Sequence, residues 1–344
     1  MREACTPRLV AETLKEYGAI TRAAMKRYLP CGEPRCHLYD LLPDYPGRGG
    51  KMMRSSLCIA TARAFGASIE DALCSAVAIE LLHNAMLIHD DIEDESDQRR
   101  GRPTLHTLHG IPLALNAGDT LTLLSLRPLF DNVDRLGPWL AQEIVAETER
   151  MAWESAEGQA MDLGWRRDNS HGLTDADYLV MVLKKTCWFA AIYPSHVGAM
   201  IGTRHRIDLE PFIRFGFFLG SAFQIQDDLL NLVADDRYGK ELNGDIFEGK
   251  RTLMLGHAYR NSTPPQREQL AALLDCSRAQ RTPTQVEWVR ALMDDYGSVD
   301  YARGVAHGLA GAALHEYTCI YDDLPDSRDK QFIRGLVTWV FERT

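Results

Sequence analysis

Two apolar runs, each closing on a cluster of carboxylates, limit what this chain can become more than any other feature. From Ile69 to His89 the residues are apolar almost all the way round, and the run leads into LIHDDIEDESDQRRGRPTLH, which carries Asp90, Asp91 and Asp94, then Arg99 and Arg100. A segment apolar on every side reads as a helix buried at the centre of a bundle. A second run, over about 209–233, closes on Gln224-Ile225-Gln226-Asp227-Asp228-Leu229-Leu230-Asn231. Asp90 and Asp94 stand four apart, as do Asp227 and Asn231, so each pair shares a helix face. Two such helices can present their clusters to each other across a cavity, as bundles do when they build metal sites.

Carboxylates held this close repel one another unless a cation lies between them. Ligands that are all oxygen favour Mg²⁺, which commonly bridges protein carboxylates to substrate phosphates. The arginines that follow are suited to a bidentate grip on phosphate oxygens. Together they point to a diphosphate held through Mg²⁺. The same Asp-Asp-x-x-Asp pattern recurs at Asp322, Asp323 and Asp326, but there Pro325 breaks the helix face and no arginine pair follows, so that copy reads as a solvated loop.

The 344 residues are 45% hydrophobic and 25% charged, enough for a large core in a single domain spanning 1–344. A net charge of −10 and the lack of a basic stripe argue against nucleic acid as a partner. Eight cysteines without a repeating spacing fit reduced thiols in a cytoplasmic protein. The start of the chain lacks the basic-then-apolar pattern of a signal peptide. Glu80 and His83 interrupt one apolar run and Arg214 the other, so neither reads as a membrane span.

Several cations have the spacing of ligand contacts. Gly49-Gly50-Lys51-Met52-Met53-Arg54 is a glycine-rich entry to a helix, with Lys51 and Arg54 on one side, and serves either an anion or an exposed basic helix start. His83 lies two turns before Asp90 on nearly the same face. Lys185 beside Thr186 stands in a largely apolar segment, and Lys240 and Lys250 follow the second cluster in a polar loop. Helices are expected over residues 8–28, 111–130 with an end near Pro128, 138–163 carrying Gly158, Gln159 and Asp162, and 176–202; a polar loop is expected from Trp165 to Asp175. No β alternation of useful length occurs, so the expected class is all-α.

HNAMLIHDDIEDESDQRRGRPTLH, with FQIQDDLLN and the later GKELNGDIFEGKRT, resembles the trans-isoprenyl diphosphate synthases of the polyprenyl synthetase family, closest in pattern to those making geranylgeranyl diphosphate. The resemblance implies an isoprenoid-synthase-type helical bundle around a deep central cavity, usually a homodimer. Its chemistry would join an allylic diphosphate (dimethylallyl, geranyl or farnesyl) to isopentenyl diphosphate. Asp90, Asp91 and Asp94 match the first aspartate-rich motif and Asp227 and Asp228 the second, with Asn231 in its last place; together they would hold Mg²⁺ on the allylic diphosphate. Arg99, Lys185 and Lys250 match its cationic partners. Lys51, Arg54, His83 and Arg100 match the isopentenyl diphosphate site. Thr186 and Gln224 match polar groups lining the reacting carbons, and Lys240 a lysine of the closing loop.

Product length should follow from what floors the cavity below Asp90. Leu82, Ala85 and Met86 lie upstream on that helix, Thr122 and Leu123 on a facing one, and none is aromatic. The expected product is therefore geranylgeranyl diphosphate, with longer-chain or farnesyl diphosphate as alternatives and Trp188 as a residue that could narrow the space. Class I terpene cyclases share the fold and first motif, but the second aspartate pair and the Lys51, Arg54 and His83 set argue against that class. A non-catalytic homologue would be expected to have lost one cluster, and both are present.

Overall fold

The computed structural model describes residues 7–233 and 242–341, and these form an all-α bundle. The described residues begin with α1 (Pro7–Met25), run through the short α2 (Asp44–Gly47), and enter α3 (Met53–Ala64) and α4 (Ile69–Glu93). A two-residue hairpin of β1 (Gln98–Arg99) and β2 (Arg102–Pro103) turns the chain back. Then come α5 (Leu105–His109), α6 (Ile111–Asp131), α7 (Val133–Leu136), α8 (Pro138–Arg167) and α9 (Asp175–Val182). A π-helix, Leu183–Ile192, runs without a break into α10 (Tyr193–Thr203). The remainder is α11 (Glu210–Val233), α12 (Gly244–Glu248), α13 (Leu253–Asn261), α14 (Pro264–Asp275), α15 (Pro283–Asp295), α16 (Ser298–Tyr321) and α17 (Arg328–Trp339).

Two helices run longer than their sequence signals suggested. Pro128 lies inside α6, which continues to Asp131; near the C-terminal end of a helix the missing N–H removes a single ladder bond, and the ring is buried. α8 reaches Arg167, through the start of the expected loop, because Arg166 turns inward to Asp94 and Asp162.

α4 begins at a capping box, in which Ser68 accepts from the Asp71 N–H and the Asp71 carboxylate accepts from the Ser68 N–H. It packs along α6 on one side and α3 on the other. By length and composition α4 could cross a membrane, but 67% of its most apolar window is buried inside the protein. The second acidic helix, α11, lies between α16 and the π-helix. The π-helix also packs on α8, where Gly158 permits the approach: a Cβ there would stand 2.1 Å from Lys185 N. Asp322, Asp323 and Asp326 lie exposed in the turn after α16, as expected of a solvated loop.

Candidate active site

A cavity of about 400 Å³ opens between α4, α8, α9, the π-helix and α11. Asp90 reaches it from the end of α4, and Asp227 and Asp228 reach it from the end of α11. Lys185, Thr186, Gln224 and Lys250 line it, and so do Arg54 and His83. Met86, Leu87, Met181, Val182, Phe189 and Phe223 supply apolar wall. Asp94 and Asn231 line an adjoining cleft of about 330 Å³, together with Arg99, Asp245, Glu248 and Lys250. The two acidic helix ends thus meet over one space.

The cations are already committed to these acids. Lys250 Nζ stands 2.8 Å from Asp94 Oδ2 and 2.6 Å from Glu248 Oε2. Lys185 Nζ lies 2.6 Å from Asp162 Oδ2, and Arg166 reaches Asp94 Oδ1 at 2.9 Å. Burial works against ionising Asp94, yet Lys250, Lys185 and Arg166 hold its carboxyl well below the usual range. Lys250 is shifted well upward despite its burial, by Asp94, Glu248 and Asp245.

A polar chain crosses the far wall. Thr186 Oγ1 donates to Gln224 Oε1 at 2.9 Å, and Gln224 Nε2 donates to Asp228 Oδ1 at 2.7 Å. Tyr178 Oη donates to Asp228 Oδ2 at 2.8 Å. Burial, with Asp245 and Asp227 adding like charge, pushes the Asp228 carboxyl up to about 8. Asn231 Oδ1 accepts from the Asp245 N–H at 3.0 Å, fastening the chain beyond the second cluster to its helix.

Asp91 does not face the cavity. Arg99 Nε donates to its Oδ1 at 2.8 Å and Tyr45 Oη donates to its Oδ2, while Asp91 is fully buried. Asp90 and Asp91 leave α4 about 100° apart, and here the contacts to Arg99 and Tyr45 turn Asp91 away while Asp90 faces the cavity. Arg99 also reaches Asp90 Oδ2 at 3.0 Å, tying the hairpin to the end of α4. Lys51 and Arg100 do not line the cavity either. Lys51 Nζ stands 5.1 Å from the centre of the Trp339 ring, and Arg100 donates to Gly49 O, lying against Gly50 at a φ of 137° where a Cβ would collide with it. Lys240 lies outside the described residues.

The expected floor is also displaced. Met86 lines the cavity, but Leu82 packs into the main core and Ala85, at 0% exposure, into a second core against α6. Thr122 is half-buried with its hydroxyl on Gly118 O, and Leu123 is 68% exposed on the outer face of α6. Trp188 turns toward α8, under Arg150 and edge-on to His196. Phe189 and Phe223 stand on the wall instead. Tyr45, behind Asp91, and Tyr178 and Arg166 contribute to the site although no spacing marks them, whereas Glu248 falls inside the GKELNGDIFEGKRT motif. Asp162 was visible only as one end of a Gly-Gln-x-x-Asp pattern.

Acidic side chains of this type fit Mg²⁺ by their chemistry, since every donor is oxygen. Among the described residues no three acidic, His or Cys side chains already converge on one point. Lys185, Lys250 and Arg166 occupy Asp94 and Asp162 meanwhile, so binding an ion would exchange partners rather than fill a finished cage.

An all-α bundle that brings two acidic helix ends and two sets of cations to one partly apolar chamber is the isoprenoid-synthase fold, and the enzyme is a prenyltransferase. Comparison with known proteins places it further. The polyprenyl synthetase family model matches residues 36–295, and the chain belongs to that family. It is 32% identical to a geranylgeranyl pyrophosphate synthase of Geoglobus acetivorans over 97% of this chain and 99% of that one. It is 29% identical to a geranylfarnesyl diphosphate synthase of Natronomonas pharaonis, over 97% and 98%. The crystal structure of a geranylgeranyl pyrophosphate synthetase from Pyrococcus horikoshii superposes with a TM-score of 0.84 at 30% identity, covering 98% of this chain and 99% of that one.

Proposed function

We propose that this enzyme condenses an allylic diphosphate (dimethylallyl, geranyl or farnesyl) with isopentenyl diphosphate, depends on Mg²⁺, and makes geranylgeranyl diphosphate as its main product. The observation that carries the reading is the division of charge around one cavity. Asp90 acts on Lys185 and Lys250, Arg54 and His83 share the Phe189 ring as a second basic set, and Asp227 and Asp228 line the same chamber.

Asp90, Asp94, Asp227 and Asp228 would hold the Mg²⁺. Bound there, the metal would neutralise the leaving diphosphate and so favour ionisation of the allylic C–O bond. Lys185 and Lys250 add fixed positive charge on the same side. Thr186 and Gln224 present polar atoms beside the carbons that lose and gain the bond. Arg54 and His83 hold the second diphosphate so that its alkene meets the cationic carbon, which replaces a chance encounter by a positioned one. The departing diphosphate takes the proton lost as the new double bond forms. Met86, Met181, Val182, Phe189 and Phe223 keep water from the cation.

A four-unit product fits a wall whose apolar side chains from α4 are Met86 and Leu87, with no Phe, Tyr or Trp among them. The geranylfarnesyl diphosphate synthase relative favours one unit more as the alternative. A terpene cyclase is disfavoured by the second basic set. A homodimer, placed in the cytoplasm, completes the reading: Ile111, Leu115, Leu123, Leu126 and Phe130 expose an apolar stripe along α6 that a second copy can cover. Labelled isopentenyl diphosphate offered with each primer and Mg²⁺ tests the reaction. A farnesyl-only product refutes the chain length, diphosphate release from the allylic substrate alone points to a cyclase, and no release refutes the enzyme.

A further inference from the structure

One carboxylate stands beside Arg54 and His83 rather than with the other acids. Glu80, on α4, is 2% exposed. Its Oε1 accepts from the Ser55 hydroxyl at 2.8 Å and from the Ser55 backbone N–H at 3.3 Å. Its Oε2 stands 3.5 Å from His83 Nδ1. A single side chain therefore joins the first turn of α3 to a ring on α4.

Each contact supplies something the local sequence lacks. α3 starts after Met52, at a φ of 54°, and has no side-chain cap of its own. A carboxylate at a helix start satisfies an orphan N–H and favours the positive end of the dipole, and Glu80 does this from the neighbouring helix. Arg54 is the residue before Ser55, so anchoring Ser55 sets where Arg54 leaves the backbone. The Arg54 guanidinium lies 5.0 Å from the centre of the Phe189 ring, and the His83 ring packs in a T-shaped arrangement with the same ring, 5.8 Å between their centres. Holding His83 by Nδ1 leaves Nε2 for the cavity. The charged groups around His83 are Glu80 on its own helix, Arg54 on α3 and Arg100 from the hairpin; burial and Arg54 pull its pKa down to about 4, and Glu80 opposes them. A carboxylate this deep is costly unless fully partnered, and its partners here are the elements that carry Arg54 and His83.

We propose that Glu80 is the positioning residue of the isopentenyl diphosphate site, fixing Arg54 and His83 relative to each other while touching neither substrate. The inference rests on the prenyl-transfer reading above. It requires a selective effect: the homoallylic substrate loses affinity and the allylic one does not. It also requires a pH signature. An incoming diphosphate favours the protonated ring, and Glu80 supports that proton from behind, so the KM for isopentenyl diphosphate falls as pH is lowered toward the ring's own value of about 4.

The test is Glu80→Gln, which keeps the acceptor for Ser55 but removes the charge, assayed for both KM values and for kcat across pH. The expected result is a rise in the KM for isopentenyl diphosphate of roughly tenfold, the size of one charge-assisted hydrogen bond. The KM for the allylic diphosphate stays within about twofold of wild type, kcat changes less than the selective KM, and the low-pH improvement is lost. Ser55→Ala, which removes a single contact, gives the same split at about threefold and carries the test should Glu80→Gln not fold. Equal rises in both KM values, or wild-type values for both with the pH response intact, overturn the assignment. Wild-type enzyme that releases diphosphate without needing isopentenyl diphosphate overturns the functional reading instead, whatever the variants do.

Discussion

Lys185 Nζ lies 2.6 Å from Asp162 Oδ2, so a cation lining the cavity is held by an acid on the helix packed against its own. Arg166 stands 3.7 Å from the same oxygen. Asp162→Ala would leave both cations short of a partner, and removing one member of a buried ion pair costs about 3–5 kcal/mol. The variant should melt well below wild type and lose at least about tenfold in kcat as Lys185 shifts. Asp162→Asn should sit between them. Thermal melts and steady-state kinetics on the three proteins check this.

Asp90 and Asp91 should fail in different ways. Asp90 faces the cavity, while Asp91 is fully buried under Arg99 and Tyr45. Asp90→Ala should lower kcat on the order of 10²–10³-fold with the melting temperature nearly unchanged. Asp91→Ala should destabilise the fold, because Arg99 loses its buried counter-ion. Circular-dichroism melts beside activity assays separate the two.

Asp228 should make stability depend on pH in the absence of metal. Its carboxyl is pushed up to about 8, chiefly by burial, then by Asp245 and Asp227. A carboxyl raised on folding contributes stability fully below its unfolded value of about 3.9, and that contribution fades as pH rises through the folded value. Metal-free protein should therefore melt lower at about pH 9 than at about pH 6, and Asp228→Asn should show a smaller drop. Mg²⁺ should restore more of the wild type's stability at the higher pH, where the carboxylate is free of its proton. Melts with chelator or with Mg²⁺ at both values decide it.

Adjacent residues on α4 should divide chain length from folding. Met86 stands on the cavity wall, while Ala85 is packed against α6. Met86→Phe should shorten the product and Met86→Ala lengthen it. Ala85→Phe should instead overpack the α4–α6 contact, at a cost of about 1–3 kcal/mol, and leave the product of the folded fraction unchanged. Chromatography of dephosphorylated products, alongside melts, tests the pair.

Much of this was legible from helix periodicity alone. Asp90, Asp94, Asp227 and Asn231 were readable because a spacing of four keeps side chains together whatever the helix packs against. Periodicity does not say which way a helix is rotated in the bundle. Asp91 and Ala85, each one step along α4 from a residue that lines the cavity, carry the same sequence signal yet lie buried behind the wall. The partners that fix Asp91 and Asp228 come from far along the chain: Tyr45 from α2 and Tyr178 from α9. A lone tyrosine carries no spacing to read. Glu80 did leave a trace, as an acid inside an otherwise apolar run, but the trace alone named neither Ser55 nor Arg54 as its neighbours.

The π-helix that carries Lys185 and Thr186 gives the site an unusual genetic fragility. Its backbone bonds reach one residue further than those of an α-helix, so the segment holds residues that regular coiling would not accommodate. Losing a single codon anywhere in the stretch would let the backbone settle into ordinary coiling. The flanking helices could keep their directions, while side chains within the stretch, Lys185 among them, would turn by up to about 100° relative to their present neighbours. Such an allele could still yield a well-folded product with its lysine aimed at the wrong neighbour, a defect that expression and solubility screens would pass.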